Sequence, residues 1–241
     1  MTDLLPVPGI RAVQALLDHA PERLRQILLH GRPGGQRRTL VDALEARGLI
    51  PTPVPASRLD ALAGDVAHQG IVALVEPAEL VEWPALFTPD ALILALDQVT
   101  DPRNFGAMLR SLEAFGGTGA LITRDRCARP GPAVTKTSAG AAEIIPIAME
   151  TNLARALRAG QQAGLQVVVA DLDGVSPDAI DWTRPTILVM GAEGEGVRRL
   201  TRETADQVVT IGLRGATASL NVGVAAGILL HAASAARARR S

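Results

Sequence analysis

The sequence predicts an α/β protein, with a small N-terminal α/β domain and a larger C-terminal domain built on a parallel sheet. Three observations carry this. Apolar runs of strand length alternate with helix-period segments along the whole chain. The C-terminal runs, such as ALILALD at Ala91–Asp97, are continuously apolar, as strands buried on both faces of a sheet must be. Between the two halves, Glu76–Pro89 carries three prolines, three glutamates and no periodicity, which reads as a linker. The expected division is therefore residues 1–76, a linker at 77–90, and a second domain at 91–241.

In the first part, Ile10–His19 has helical spacing, Leu24–Leu29 is an apolar strand, and Arg37–Arg47 is a helix stopped by Gly48. A short strand near Leu49–Val54, a helix at Ser57–Ala63 and a strand at Ile71–Val75 follow. The second part opens with the strand Ala91–Asp97, then a helix near Phe105–Phe115 closed by Gly116 and Gly117, and a strand at Gly119–Thr123. A helix near Ala133–Ala141 stands behind Pro130 and Pro132. After it come a short strand at Ile144–Ile147, a helix at Leu153–Ala163 and a strand at Leu165–Ala170. Strands at Thr186–Met190 and Val208–Ile211 and a long helix at Ser219–Ala236 complete the chain. Ligands of such sheets bind beyond the carboxyl ends of the strands, and the unusual residues of this sequence follow strands.

Composition bounds the function. The chain has 241 residues, 20% charged and 47% hydrophobic, which excludes disorder and provides a sizeable core. Its longest apolar stretch, Val222–Ala236, is interrupted by His231 and Ser234, so it reads as a core helix and no membrane partner is expected. The start has no charged segment leading into an apolar one, and a cytoplasmic protein is expected. A single cysteine, Cys127, rules out an internal disulfide framework and a cysteine-cluster zinc site, and four scattered histidines lack ligand spacing, so no metal is expected. The net charge of −1 and the near absence of aromatics (no Tyr, three Phe, two Trp) argue against a base-stacking nucleic-acid binder. That average conceals an asymmetry: residues 97–241 hold 16 bases against 14 acids.

Three post-strand segments hold candidate chemistry. In DQVTDPRNFGAMLRSLEAFG (Asp97–Gly116), Asn104 is expected at a helix N-cap, Gly106 allows close approach, and Arg110 lies about two turns in. In VMGAEGEGV (Val189–Val197), three glycines spaced G-x-x-G-x-G follow a strand. This is neither the dinucleotide fingerprint nor a phosphate loop. Glu193 and Glu195 make it repel phosphate and suit a ligand of cationic character, or one read through backbone groups. In IGLRGATASLNVGVAAGILL (Ile211–Leu230), Ser219 is expected to cap the long helix, with Asn221 in its first turn. A plain capped helix or glycine turn is the competing account of each segment. Two weaker candidates are a Lys136–Ser138 pair and Cys127, whose neighbours Arg124, Arg126 and Arg129 could depress its pKa.

Taken in this order, NFGAMLR (Asn104–Arg110), VMGAEGEGV and SLNV (Ser219–Val222) resemble the three signature motifs of the SpoU (TrmH-type) RNA ribose 2′-O-methyltransferases of the SPOUT superfamily. The intervening VTKTSAGAAEIIP is similar to the same family, and GIRAVQALL through HQGIVALVEP resembles its ribosomal-protein-like substrate-binding domain. The resemblance spans nearly the whole chain and points to the bacterial 23S rRNA (guanosine-2′-O)-methyltransferase branch. It implies a deep trefoil knot in the C-terminal domain, which no periodicity reveals and which is rare enough to exclude by default. It also implies S-adenosylmethionine as donor and a homodimer through the knotted domain. By position it assigns Gly191, Ile211 and Leu220 to the donor, and Asn104, Arg110, Glu193, Ser219 and Asn221 to catalysis. Motif 3 departs from the family at Gly212, Thr217 and Gly223, where proline, valine and serine are commoner.

The family gives the deprotonating role to Arg110. A guanidinium with a pKa above ~12 scarcely deprotonates, so clamping a phosphate and stabilising the developing alkoxide suits it better, with Glu193 orienting Arg110 or the loop. Phosphate contacts are expected from Arg103, Arg124, Arg126, Arg129 and Lys136, in RNA recognition through the 2′-hydroxyl and local shape. The alternatives are a tRNA ribose methyltransferase and a non-catalytic RNA-binding or ribosome-assembly factor on the same scaffold.

Overall fold

The structure, a computed structural model, describes residues 4–64 and 66–239. In chain order its strands are β1 (Leu5–Pro8), β2 (Leu24–Leu29), β3 (Thr52–Pro53), β4 (Ile71–Val75), β5 (Leu92–Asp97), β6 (Gly119–Thr123), β7 (Ile147–Glu150), β8 (Gln166–Val175), β9 (Thr186–Gly191) and β10 (Gln207–Val209). Its helices are α1 (Ile10–His19), α2 (Gln36–Ala46), α3 (Ala56–Ala63), α4 (Pro102–Ala114), α5 (Pro132–Thr137), α6 (Leu153–Gln162), α7 (Arg199–Glu203) and α8 (Val222–Ala238). The chain forms two compact units. One holds residues 1–79 together with Pro130–Ile144; the other holds Leu80–Arg129 and Ile145–Ser241.

In the first unit the sheet order is β1-β4-β2-β3, antiparallel except for the β2–β3 pair. Val13, Leu16 and Leu17 of α1 and Leu40 and Leu44 of α2 pack on Ile27, Ile71 and Ala73 of the sheet. The sequence hid β1 because Pro6 and Pro8 sit in it; a proline lacks the N–H of a ladder, and β1 and the two-residue β3 with its Pro53 are both edge strands. Residues 130–144 are tied into this unit by a nearly buried ion pair, Arg23 to Glu143 at 2.7 Å, while the Thr135 hydroxyl donates to the same carboxylate at 2.5 Å. The helix expected through Ala141 ends at Thr137, and Gly140 turns the chain at φ +96°. A Cβ on Gly140 would lie 2.5 Å from that of Ala15, so space and backbone conformation both demand glycine there.

The second unit carries a six-stranded sheet of order β10-β8-β9-β5-β6-β7, parallel throughout, as the continuous apolar runs predict. Every residue of β5 and β9, the central pair, is buried. One face packs against α6 through Leu153 and Leu157, and Trp83 and Leu86, from the segment expected as linker, join that core. The Trp83 indole N–H donates to the Ala156 carbonyl at 2.9 Å, so a proline-punctuated segment without periodicity folds as a short buried turn. α8 approaches α4 closely where Gly223 faces Ala107 and Gly227 faces Ser111. Arg237, in the last turn of α8, donates to the carbonyls of Asp90, Ala91, Trp182 and Arg184 at 2.6–3.0 Å, sealing the amino ends of β5 and β9. Its partial burial among neutral carbonyls lowers the guanidinium pKa from its usual range.

Two caps differ from expectation. α4 is capped by Asp101, which accepts from the Arg103 amide at 2.8 Å with Pro102 in the first helical position; Asn104 lies inside the first turn. α8 is capped by Asn221, whose Oδ1 accepts from the Gly223 and Val224 amides at 2.9 and 3.2 Å, and Ser219 is an exposed loop residue. Both shifts free a side chain for other work: Asn104 is released from capping, and Ser219 from the helix.

Candidate active site

The carboxyl ends of β9 and β10, with the middle of β8 between them, open into a cavity of about 680 Å³ within the second unit. Its apolar part comes from Leu172, Met190, Val209, Ile211, Leu213 and Leu220, and its polar part from Asp171, Glu193, Glu195, Ser219 and Asn221. No aromatic ring lines it. Among the described residues three acids and no base border the cavity, so it disfavours an anionic ligand and favours a cationic one.

The glycine loop after β9 is held in one shape. Ala192 and Gly196 exchange backbone hydrogen bonds of 3.0 Å in each direction, which curls the five residues back on themselves. Gly194 and Gly196 adopt φ +82° and +68°, where a side chain is strained. Gly191 is required for a different reason. A Cβ there would fall 2.2 Å from the Gly196 carbonyl carbon and 2.4 Å from the Val197 nitrogen.

That loop delivers Glu193 to the start of α8. The Asn221 side-chain N–H₂ donates to the Glu193 carboxylate and, at 2.9 Å, to Oδ1 of Asn104, while Asn221 Oδ1 caps the helix. Asn221 thus spends its acceptor on the backbone and its donors on residues 28 and 117 positions away, joining all three post-strand segments at one point. Of the eight residues assigned to catalysis or the donor, Gly191, Glu193, Ile211, Ser219, Leu220 and Asn221 line the cavity, and Asn104 is bonded to its rim. Arg110 is outside this set. It lies on the exposed face of α4, seven residues on from Arg103, does not line the cavity, and its side chain makes no hydrogen bond or ion pair with another described residue. The Glu193 carboxylate accepts from Asn221 and makes no hydrogen bond or ion pair with Arg110.

The loop after β6, next to β5 in the sheet, exposes Arg124, Arg126 and Arg129. Arg129 donates to the Arg124 carbonyl at 3.0 Å, and the Ala128 amide donates to the Val99 carbonyl at 2.7 Å, which ties this loop to the one after β5. Lys136 is exposed in the first unit. The two weaker candidates do not hold. The Cys127 thiol is pushed up in pKa, chiefly by burial, so the surrounding arginines do not activate it. The Ser138 hydroxyl donates to the Thr135 carbonyl and accepts from the Ala142 amide, a buried turn without a lysine partner.

Residues that carry no recognisable motif complete the site. Asp171 and Leu172, just past the middle of β8, line the cavity, and Asp171 is paired with Arg202 at 2.8 Å. Asp173 pairs with the same guanidinium, and the two carboxylates raise its pKa. Asp97 and Arg198, 101 residues apart, form an ion pair behind the glycine loop. Among the described residues no group of three His, Cys, Asp or Glu could hold a metal ion, and no helix is long and apolar enough to cross a membrane.

Comparison with known proteins identifies the family. The model of the SpoU rRNA methylase family matches residues 91–231, and that for RNA 2′-O ribose methyltransferase substrate binding matches residues 6–81. The chain is 43% identical to the 23S rRNA (guanosine-2′-O-)-methyltransferase RlmB of Pseudomonas putida, over 97% of both chains. It is 40% identical to RlmB of Escherichia coli K12, over 93% of this chain and 96% of that one. Among solved structures it resembles the AdoMet-bound rRNA methyltransferase of Sinorhizobium meliloti, with TM-score 0.77 and 26% identity, covering 96% of this chain and 87% of that one.

Proposed function

The chain belongs to the SpoU rRNA methylase family, and we propose from its site that it transfers a methyl group from S-adenosylmethionine to the ribose 2′-hydroxyl of a guanosine in 23S rRNA. One observation carries this reading: an acid-rimmed, apolar cavity meets the Asn104–Asn221–Glu193 network at its mouth. The cavity fits the donor. Its volume is in the range of small-ligand sites (roughly 300–1,000 Å³), Leu172, Ile211, Leu213 and Leu220 offer an apolar bed for an adenine, and the carboxylates suit a sulfonium. Gly191, Ile211 and Leu220 would hold it. When bound, S-adenosylmethionine supplies an electrophilic methyl group.

The chain's own residues then do the rest. A ribose hydroxyl is a poor nucleophile until its proton is drawn off or its developing charge is stabilised. Asn104 and Asn221, locked to each other, fix the polar edge on which the ribose is set, and Ser219 adds an exposed hydroxyl on the same rim. The Arg110 side chain donates to no other described residue, so it can clamp the neighbouring phosphate and stabilise the alkoxide. As a fixed cation it stabilises the developing alkoxide and does not itself take the proton, which leaves to solvent. Arg110→Ala is expected to lower kcat by roughly 10²–10³-fold, the scale of losing one preorganised oxyanion donor, with donor affinity unchanged because Arg110 lies off the cavity. Arg110→Lys should restore little, since a point charge cannot reproduce the planar fork. Near-full turnover by Arg110→Ala would remove it from the mechanism.

Exposed Arg103, Arg124, Arg126, Arg129 and Lys136 are proposed phosphate contacts. A knotted thread through the second unit, cytoplasmic location and a homodimer through that unit belong to the same reading. The dimer is supported by an apolar stripe on α8, where Val224 and Ile228 are 52% and 40% exposed. The test is incubation of purified 23S rRNA and tRNA with methyl-labelled donor, then mapping of the labelled ribose. Label at a guanosine of 23S rRNA is expected. Label in tRNA alone would favour the tRNA alternative, and donor binding without transfer to either would favour an assembly factor.

A further inference from the structure

We propose that Asp97 is a positioning residue for the donor loop, acting through Arg198 as a clasp that holds the Glu193 loop closed over the end of β9. The inference rests on the methyl-transfer reading of the cavity. Asp97 is the last residue of β5 and stands opposite Gly191, the last residue of β9. Its side chain is completely buried, in a strand whose other residues are all apolar. A carboxylate withdrawn from water is costly unless it is paired and hydrogen-bonded, so its presence asks for a purpose at that point of the sheet.

Its partners give the purpose. One carboxylate oxygen accepts from the backbone N–H of Arg198 at 2.9 Å and the other from Nε of the same residue at 2.7 Å. Arg198 follows directly on the glycine loop. The chain thus leaves the sheet at Gly191, beside Asp97, and seven residues later, at Arg198, is caught again by Asp97. Inside this ring, Ala192 and Gly196 are bonded to each other and the Gly196–Val197 peptide lies against Gly191. The ring's outer point is Glu193, which reaches Asn221. Asp97 neither lines the cavity nor bonds Glu193; its influence on the donor can only pass through the shape of the loop. Arg198 is half exposed, with a side-chain exposure of 49%, so its removal does not open the core.

The experiment uses the full chain. S-adenosylmethionine is titrated calorimetrically into wild type, Asp97→Asn, Arg198→Ala and Arg198→Lys, and amide hydrogen exchange is followed over residues 192–198 and over β5 and β9. Asn at 97 keeps one acceptor but turns an N–H₂ toward the Arg198 donors. Asp97→Asn and Arg198→Ala are each expected to weaken donor binding by about tenfold, the size of one charge-assisted hydrogen bond. Exchange should quicken in the loop while β5 and β9 stay protected, and Arg198→Lys should recover part of both. Unchanged affinity and loop exchange in Arg198→Ala would overturn the proposal. So would an affinity loss accompanied by lost protection across β5 and β9, since that marks a general core role. If Asp97→Asn does not fold, Arg198→Ala decides alone. Failure of the wild type to bind donor would instead sink the methyl-transfer reading, and loop exchange would still test the clasp.

Discussion

Asn221→Asp is expected to leave the protein as stable as wild type and to cost about 10²-fold in turnover. The two halves of that statement come from the two ends of one side chain. Oδ1 of Asn221 caps α8 by accepting from Gly223 and Val224. Aspartate caps as well as asparagine, and its charge at a helix N-terminus adds ~0.3–1 kcal/mol. The other end is a pair of N–H donors aimed at Glu193 and Asn104. The substitution turns that end into an acceptor and sets two carboxylates within hydrogen-bond reach, and their repulsion drives the exposed Glu193 off the pair. The loop end of Glu193 and the amide of Asn104 then lose their common anchor, and the loss falls on kcat, in the range of one preorganised polar contact (~10²–10³-fold). Acidification should restore part of the activity, because a proton on the pair returns one donor. Asn221→Ala is the control: it removes the cap, costs ~1 kcal/mol and lowers Tm, where Asn221→Asp does not. Thermal melts beside steady-state kinetics read both. Full turnover by Asn221→Asp would reduce Asn221 to a helix cap.

How far the sequence foretold this follows from the range of each interaction. The parallel sheet is legible because β5, β6 and β9 are buried along their whole length and are apolar except at their ends, at Asp97, Thr123 and Thr186. The three site segments are legible because each follows a strand and breaks the apolar pattern with Asn, Gly or Glu. The caps were misread at both helices for one reason: several adjacent residues can cap, and the choice depends on where the chain turns. At α4 a local signal existed, since Pro102 at the first helical position marks Asp101 as the cap. At α8 there was none. Asn221 is chosen over Ser219 by partners 28 and 117 residues away. The Asp97–Arg198 pair and the attachment of residues 130–144 to the first unit through Arg23–Glu143 are likewise long-range, and no window of sequence contains them.

Charge illustrates the same limit. A net charge of −1 argued against a nucleic-acid partner, yet the second unit sorts its charges by place. Acids surround the cavity, at Asp171, Glu193 and Glu195, whereas Arg124, Arg126 and Arg129 crowd the loop after β6 and Arg103 and Arg110 share the exposed face of α4. A donor bearing a positive sulfur and an acceptor bearing phosphates need opposite surroundings. A near-zero total is what two such surroundings produce when they sit side by side.

Gly191→Ala should have the largest effect on donor binding of any single methyl group added to the chain. The backbone of Gly191 is not in the left-handed region, so the demand is for space alone. A Cβ would meet the carbonyl carbon of Gly196 at 2.2 Å, its oxygen at 2.3 Å and the Val197 nitrogen at 2.4 Å. These are backbone atoms, which cannot rotate aside as a side chain can. The loop must lift, breaking the Ala192–Gly196 hydrogen bonds, drawing Arg198 from Asp97 and taking Glu193 from Asn221. The loop is exposed beyond Ala192 and the sheet beneath is intact, so the protein should still fold, with an overpacking penalty of ~1–3 kcal/mol. Donor affinity should fall at least ~100-fold, since several contacts move together and each ~1.4 kcal/mol is a factor of ten. Gly194→Ala provides the contrast three residues away. Gly194 has φ +82° but nothing within 4 Å of a Cβ, so it meets only the left-handed backbone penalty of ~1 kcal/mol, and the loop stays down. Calorimetric titration of both variants separates close approach from backbone conformation. Equal donor affinities for Gly191→Ala and wild type would mean that the loop does not close on Gly191 when the donor is bound, and the pocket would have to be redrawn around an open loop.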